Sequence, residues 1–172
     1  MKCIFLDFDG VINNWDCFNG VSVENALVLK QIIDLSGAKI IATTSNKYPI
    51  QNNNLDYYHS NFYNNYIRKL NDMGIEIYDL TPICDHDRTL EIKKYLSEHD
   101  VDQFVIIDDE LIGKKLQDHQ VFLDLYRGLQ AEHIDPTLRI LNGCLGFYPE
   151  SYDRNETPEK LILRINKYYS KF

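Results

Sequence analysis

Three short apolar runs in this chain each stop abruptly at a pair of oxygen-bearing residues. Cys3-Ile4-Phe5-Leu6 ends in Asp7-Phe8-Asp9-Gly10, Lys39-Ile40-Ile41-Ala42 ends in Thr43-Thr44-Ser45-Asn46, and Phe104-Val105-Ile106-Ile107 ends in Asp108-Asp109. A run of three or four apolar residues bounded by turn chemistry suits a strand buried on both faces. Between the runs lie stretches with helical periodicity. Ser22 can cap a helix whose apolar positions are Ala26, Leu27, Leu29, Ile32 and Ile33, with Gly37 at the αL position that closes it. Further helices are predicted over about Leu55–Met73 (closed by Gly74), Thr89–Glu98 (apolar at Leu90, Ile92, Tyr95 and Leu96), Asp135 to Gly143, and Thr157 to Lys171. Two more strands are predicted at Ile75–Tyr78 and Val121–Leu123.

Strands alternating with helices of this length predict βαβ units, so the fold class is α/β, a Rossmann-like parallel sheet flanked by helices. At 172 residues, with neither repeat nor low-complexity linker, residues 1–172 are expected to form one domain. Parallel strands present their carboxyl ends at one edge, which is where such sheets bind ligands. Asp7, Asp9, Thr43, Thr44, Asp108 and Asp109 therefore converge on one crevice.

Composition excludes several alternatives. Lys plus Arg is 18 against 26 for Asp plus Glu, a formal net charge of −8. Proteins that wrap nucleic acid neutralise phosphates with a basic excess, so no extended nucleic-acid footprint is expected. The four cysteines, Cys3, Cys17, Cys84 and Cys144, form no C-x-x-C pair and read as free thiols of a reducing, cytoplasmic compartment. The five histidines show no paired spacing that would suit a metal. No stretch approaches the ~18 apolar residues of a membrane span. The polar, turn-rich residues 11–21 read as a flap, with Trp15 at the lip of the crevice.

Four converging carboxylates raise one another's pKa unless a counter-charge is supplied. A hard divalent cation supplies it, and Mg²⁺ favours one or two carboxylates together with water and phosphate oxygens. Carboxylates, a hydroxyl and a basic residue around Mg²⁺ make a phosphoryl-transfer site. A carboxylate can itself attack, forming an aspartyl-phosphate. Two residues apart beyond a strand end, Asp7 and Asp9 can both face one phosphate, one attacking and one passing a proton.

The segment Phe5-Leu6-Asp7-Phe8-Asp9-Gly10-Val11-Ile12-Asn13 resembles the first motif of the haloacid-dehalogenase-like (HAD) hydrolases. The strand ending in Thr43 is similar to their second motif, and Ile106-Ile107-Asp108-Asp109 to their fourth. More narrowly, the chain resembles the small HAD domains of Swiss Army Knife RNA-repair proteins. It does so through its Asp-Gly-Val-Ile-Asn start, Arg88 followed by Glu91-Ile92, the Asp-Asp strand end and the late Gly128-Leu129, spanning about residues 2 to 145. The resemblance implies a Mg²⁺-dependent phosphatase. Asp7 would be the nucleophile and a metal ligand, and Asp9 the general acid and base with its carbonyl on the metal. Asp108 and Asp109 would hold the metal. Gly10, Thr43, Thr44, Lys47 and Arg88 would lie on the phosphate side.

The chain departs from that family at its third motif, where Arg88 stands in place of the usual Lys. It departs again after the second motif, where Asn46-Lys47 replaces Trp-Arg, so that either Lys47 or Arg88 fills the third-motif role. Residues 47–74 leave room for at most a minimal cap, and an open crevice suits a phosphate on a larger molecule, such as a polynucleotide end, a protein or a nucleotide. The aromatics Tyr57, Tyr58, Phe62, Tyr63 and Tyr66 of this insert have helical spacing and read as packing. Among other classes, a two-component receiver domain carries its acidic pair after the first strand and its phospho-acceptor after the third, whereas the Asp108-Asp109 pair here comes 101 residues after Asp7. A Toprim nuclease needs a Glu after its first strand, and none is there. A catalytically inactive phosphate- and Mg²⁺-binding module of the same fold, or a phosphotransferase, is the alternative.

Overall fold

The computed structural model describes residues 1–14, 17, 20–47, 56 and 58–145. Five strands form one wholly parallel sheet: β1 (Lys2–Leu6), β2 (Lys39–Ala42), β3 (Ile77–Leu80), β4 (Gln103–Asp108) and β5 (Gln120–Phe122), in spatial order β3-β2-β1-β4-β5. The chain winds outward from β1 to β3 and then crosses back to β4 on the other side of β1. The crevice between the carboxyl ends of β1 and β4 is thus the topological switch point, the ligand-binding position of open α/β sheets.

The double-sided burial expected of the strands is present. Ile4, Leu6, Ile40, Ala42, Val105 and Ile107 face one core. There they pack on α1 (Val23–Ser36) and, later in the chain, α4 (Ile134–Leu141). The alternate residues Cys3, Phe5, Ile41 and Ile106 face the other, with Ile92 and Tyr95 of α3 (Arg88–Glu98). Period-2 alternation with both faces apolar leaves the apolar residues of β1 and β2, and Val105, Ile106 and Ile107 of β4, buried, which is why the runs read as continuous. Lys39 at the start of β2 and Tyr78 of the edge strand β3 are exposed.

The caps expected of α1 are in place. Ser22 Oγ accepts from the Asn25 amide, and Gly37, at φ 65°, donates to the Ile33 carbonyl. Its buried stripe, however, is Asn25, Ala26, Leu29 and Ile32, with Leu27 exposed. Asn25 takes the inward place because its Nδ2 donates to the carbonyls of Val11, Asn13 and Arg127, satisfying three loop acceptors at once. The segment expected to be a flap is anchored at both described ends. Val11, Ile12 and Asn13 are buried, and the Ser22 amide donates to the Ile12 carbonyl. Trp15 lies outside the described residues.

The helix expected over Leu55–Met73 is present as a wide-wound segment, Tyr58–Ile67, that tightens into α2 (Arg68–Asp72). The strand expected at Ile75–Tyr78 starts two residues later. Gly74 at φ 72° and the bonds Gly74 N–H to Asn71 and Ile75 N–H to Leu70 use those backbone groups to close α2. Tyr57 and the helix expected from Thr157 lie outside the described residues. Among the described residues, no helix is long and apolar enough to cross a membrane, and all four cysteines are free. Burial pushes the Cys3 thiol up to about 11.

Candidate active site

Backbone pairing lines up the strand ends. The Asp7 amide donates to the Ile107 carbonyl at 3.1 Å and the Thr43 amide to the Leu6 carbonyl at 2.8 Å. Thr43, Asp7 and Asp108 therefore follow one another across the sheet edge. Asp7 and Asp108 are buried, and one carboxyl oxygen from each of Asp7, Asp108 and Asp109 lies within 4.8 Å of the others. Three carboxylates so close are a donor set for a hard divalent cation. Two further observations fit a phosphate and its metal. Thr43 Oγ1 is fully buried with no hydrogen-bond partner among the described residues. Gly10, at φ 70°, brings its backbone so near Asp109 that a Cβ would lie 2.6 Å from that carboxylate.

Arg88 opens α3, whose N-cap Asp87 accepts from the Leu90 amide at 3.0 Å. Its Nη1 donates to Asp7 Oδ2 at 3.0 Å and to Asp108 Oδ1 and Oδ2 at 2.8 and 2.7 Å, with Glu110 at 3.9 Å. Burial pushes the Asp7 carboxyl up, Arg88 opposing it and Asp9 adding to it. Asp108 is raised well above the usual carboxylate range, first by burial and then by the charge of Asp7. Asp109 is raised to about 7 for the same two reasons in the same order. Burial would lower the Arg88 guanidinium, but the charges of Asp108 and Asp7 outweigh it and hold Arg88 above its ordinary value. The site is short of positive charge even with Arg88 in it.

Asp9 is held apart from this cluster. Its Oδ1 accepts from the Tyr66 hydroxyl at 2.6 Å and Asn13 Nδ2 at 2.8 Å, and its Oδ2 from Asn46 Nδ2 at 2.8 Å. Phe62 and Tyr66 do pack as expected of their spacing, their rings 5.4 and 5.3 Å from that of Phe8. What spacing alone does not reveal is that the tip of Tyr66 reaches a carboxylate. Asn13, Asn46 and Tyr66 are site neighbours that sequence reasoning missed.

Lys47 lies near enough to the site for the charges of Asp7 and Arg88 to act on it, but its ion pair is with Glu91. It follows β2 in a 3₁₀ turn (Ser45–Lys47), is 1% exposed, and donates to Glu91 Oε2 at 2.6 Å and to the Thr81 hydroxyl. Burial lowers its pKa while Glu91 raises it. The cation at Asp7 is Arg88. Thr44 is likewise turned to local work, accepting at Oγ1 from the Asn46 amide and side chain at 3.3 and 3.2 Å. The Gly10 amide donates to Asn13 Oδ1 at 2.6 Å.

The late Gly128-Leu129 pair closes the first loop from behind. The Leu129 amide donates to the Val11 carbonyl at 2.8 Å. A Cβ on Gly128, at φ 64°, would fall 2.1 Å from Asn25 Nδ2 and 2.5 Å from the Asn13 carbonyl oxygen. Only glycine fits there.

In comparison with known proteins, residues 3–134 match a family described as the HAD domain in Swiss Army Knife RNA repair proteins. No curated protein and no solved structure matches the chain.

Proposed function

We propose, from the premise that this chain belongs to the family of HAD domains in Swiss Army Knife RNA repair proteins, that it is a Mg²⁺-dependent phosphatase. Its substrate would be a phosphomonoester, namely the phosphorylated end of a polynucleotide or a nucleotide. The family itself points to a phosphatase-type hydrolase acting on a phosphorylated substrate. The observation that carries the finer reading is the meeting of Asp7, Asp108, Asp109 and Arg88 at the switch point, beside the unpartnered hydroxyl of Thr43.

In this reading an Asp7 carboxylate oxygen attacks phosphorus. A P–O bond to Asp7 forms as the bond to the leaving oxygen breaks, and Asp9 gives that oxygen its proton. Asp9 then takes a proton from a water that attacks the aspartyl-phosphate. Inorganic phosphate leaves and Asp7 is restored. Asp7, Asp108 and Asp109 would hold Mg²⁺, which when bound neutralises charge on the phosphoryl oxygens. Arg88 opposes the effect of burial on Asp7 and aims its carboxylate, and Thr43 Oγ1 donates to a phosphoryl oxygen. Tyr66, Asn13 and Asn46 orient Asp9.

The test is phosphate release with and without Mg²⁺ by the wild type and Asp7→Asn. The panel holds p-nitrophenyl phosphate, mononucleotides, sugar phosphates and a 3′-phosphorylated RNA. Mg²⁺-dependent release that falls at least about a thousandfold in Asp7→Asn is expected. Full activity in that variant overturns the covalent route. Silence of the folded wild type across the panel favours a binding module.

A further inference from the structure

We propose that the buried Lys47–Glu91 ion pair is a strut that fixes the first turn of α3 and thereby aims Arg88 at Asp7 and Asp108. Its kinetic consequence rests on the phosphatase reading above; its structural consequence does not.

Three segments meet at this pair. Lys47 ends the turn after β2, Thr81 follows β3, and Glu91 lies in the first turn of α3. Glu91 is fully buried. Its Oε2 accepts from Lys47 at 2.6 Å and from the Thr81 hydroxyl at 3.4 Å, and its Oε1 from the Cys84 amide at 3.4 Å. Every oxygen of the carboxylate has a donor, so the network is complete and rigid.

Glu91 is three residues on from Arg88. Residues at that spacing share a helix face, so whatever fixes the one fixes where the other leaves the helix. The placement of Arg88 needs such support. It is the first residue of α3, with no preceding turn to hold it, and its Nη1 must meet three carboxylate oxygens between 2.7 and 3.0 Å. One residue of helix rotation, about 100°, takes it off all three.

Two plainer roles are less adequate. As a stabilising device the pair is poor, because removing two buried charges from water costs about what their attraction returns. As a contributor of charge to the site it is secondary, because Glu91 at 2.6 Å acts on Lys47 more strongly than Asp7 or Arg88 does. What a buried, fully bonded ion pair supplies that an apolar pair does not is a fixed direction.

The experiment replaces the pair by an apolar one, Lys47→Met with Glu91→Leu, and reads melting temperature, the side-chain guanidinium signals of ¹⁵N-labelled arginine by NMR, and p-nitrophenyl phosphate kinetics with Mg²⁺. Arg88→Lys assigns the Arg88 signal, and the double change is repeated on Arg88→Ala. The double variant is expected to melt within a few degrees of wild type yet lose the exchange-protected Arg88 signal. Its kcat should fall about 10- to 100-fold with KM changed less than about threefold, the scale of a displaced catalytic group. On the Arg88→Ala background the same change should cost less than about twofold more. A folded double variant that keeps the protected signal and kcat overturns the strut. So does a loss that multiplies fully with Arg88→Ala. If the double variant does not fold, Glu91→Gln, whose single amide oxygen can accept from Lys47 or from the Cys84 N–H but not both, is read by the same outcomes. If the wild type releases no phosphate from any compound, the phosphatase reading fails and the NMR signal alone decides the strut.

Discussion

Arg88→Ala is the perturbation that most directly probes the charge balance at the switch point. The side chain makes three charge-assisted bonds, to Asp7 at 3.0 Å and to Asp108 at 2.8 and 2.7 Å, and Asp108 is fully buried. Removing one partner of a buried pair leaves an uncompensated charge, at a cost of about 3–5 kcal/mol. Arg88 keeps 14% of its side chain exposed, so water can partly replace it and the lower end, about 3 kcal/mol, applies. For a chain of this length that is a drop of roughly 6–12 °C in melting temperature.

The pH dependence has a definite sign. Asp7 and Asp108 have folded-state pKa values above their unfolded ones. Over that range the folded chain holds more protons, so stability falls as pH rises from the unfolded value through the folded one. Without Arg88 both values rise further. The variant's deficit should therefore be complete above them and shrink as the pH falls towards about 4, the ordinary aspartate value. Mg²⁺ should stabilise the variant more than the wild type, because it takes over the missing charge. Saturation at a hundredfold over Kd returns about 2.7 kcal/mol. Urea denaturation at pH 5 and pH 8, with EDTA or with Mg²⁺, reads all three quantities. A variant within about 1 kcal/mol of wild type at pH 8 in EDTA, or a deficit equal at both pH values, would refute the reasoning.

Asp109, raised to about 7 by burial and the charge of Asp7, must lose its proton to bind a cation. Mg²⁺ affinity by calorimetry should thus fall up to about tenfold between pH 7 and pH 6 through Asp109 alone, with the raised Asp7 and Asp108 adding to the fall, and a flat profile argues against Asp109 as a ligand. Gly10→Ala forces an L-residue to φ 70° and sets a Cβ 2.6 Å from the Asp109 carboxylate. About 1–2 kcal/mol should be lost to the backbone conformation alone, together with Mg²⁺ affinity; loss of stability without loss of metal binding would contradict the close approach. His133 is buried and neutral, its Nδ1 accepting from the Gln130 amide at 2.8 Å, and burial holds its pKa down at about 4. Since the folded state resists protonation, stability should fall as pH drops from about 6.5 to about 4, by at most about 1.4 kcal/mol per pH unit. His133→Asn should flatten that slope.

The strands and their edge were legible because they rest on local chemistry. An apolar run buried on both faces, cut off by carboxylates or hydroxyls, has few structures open to it, and parallel winding then forces the cut ends together. Asp7, Thr43 and Asp108 could be placed side by side on that ground alone, as could the caps Ser22 and Gly37. Periodicity was a poorer guide to which way a helix faces when a polar residue is buried. Leu27 and Leu90 are exposed while Asn25 and Glu91 lie inside, because each of those two meets several partners distant in sequence. The β3 boundary moved for a similar reason, since the closure of α2 takes up the backbone of Gly74 and Ile75.

The amino-acid order by itself determined the α/β alternation and the convergence of acids at one sheet edge. Which cation hydrogen-bonds to those acids was decided by tertiary structure. Lys47 and Arg88 carry the same charge and are equally plausible partners on paper. A turn after β2 buries the first against Glu91, and the first residue of α3 delivers the second to Asp7. Charge and spacing are properties of the chain, but the direction in which a side chain leaves its element, and the partner it meets there, exist only once the elements have packed.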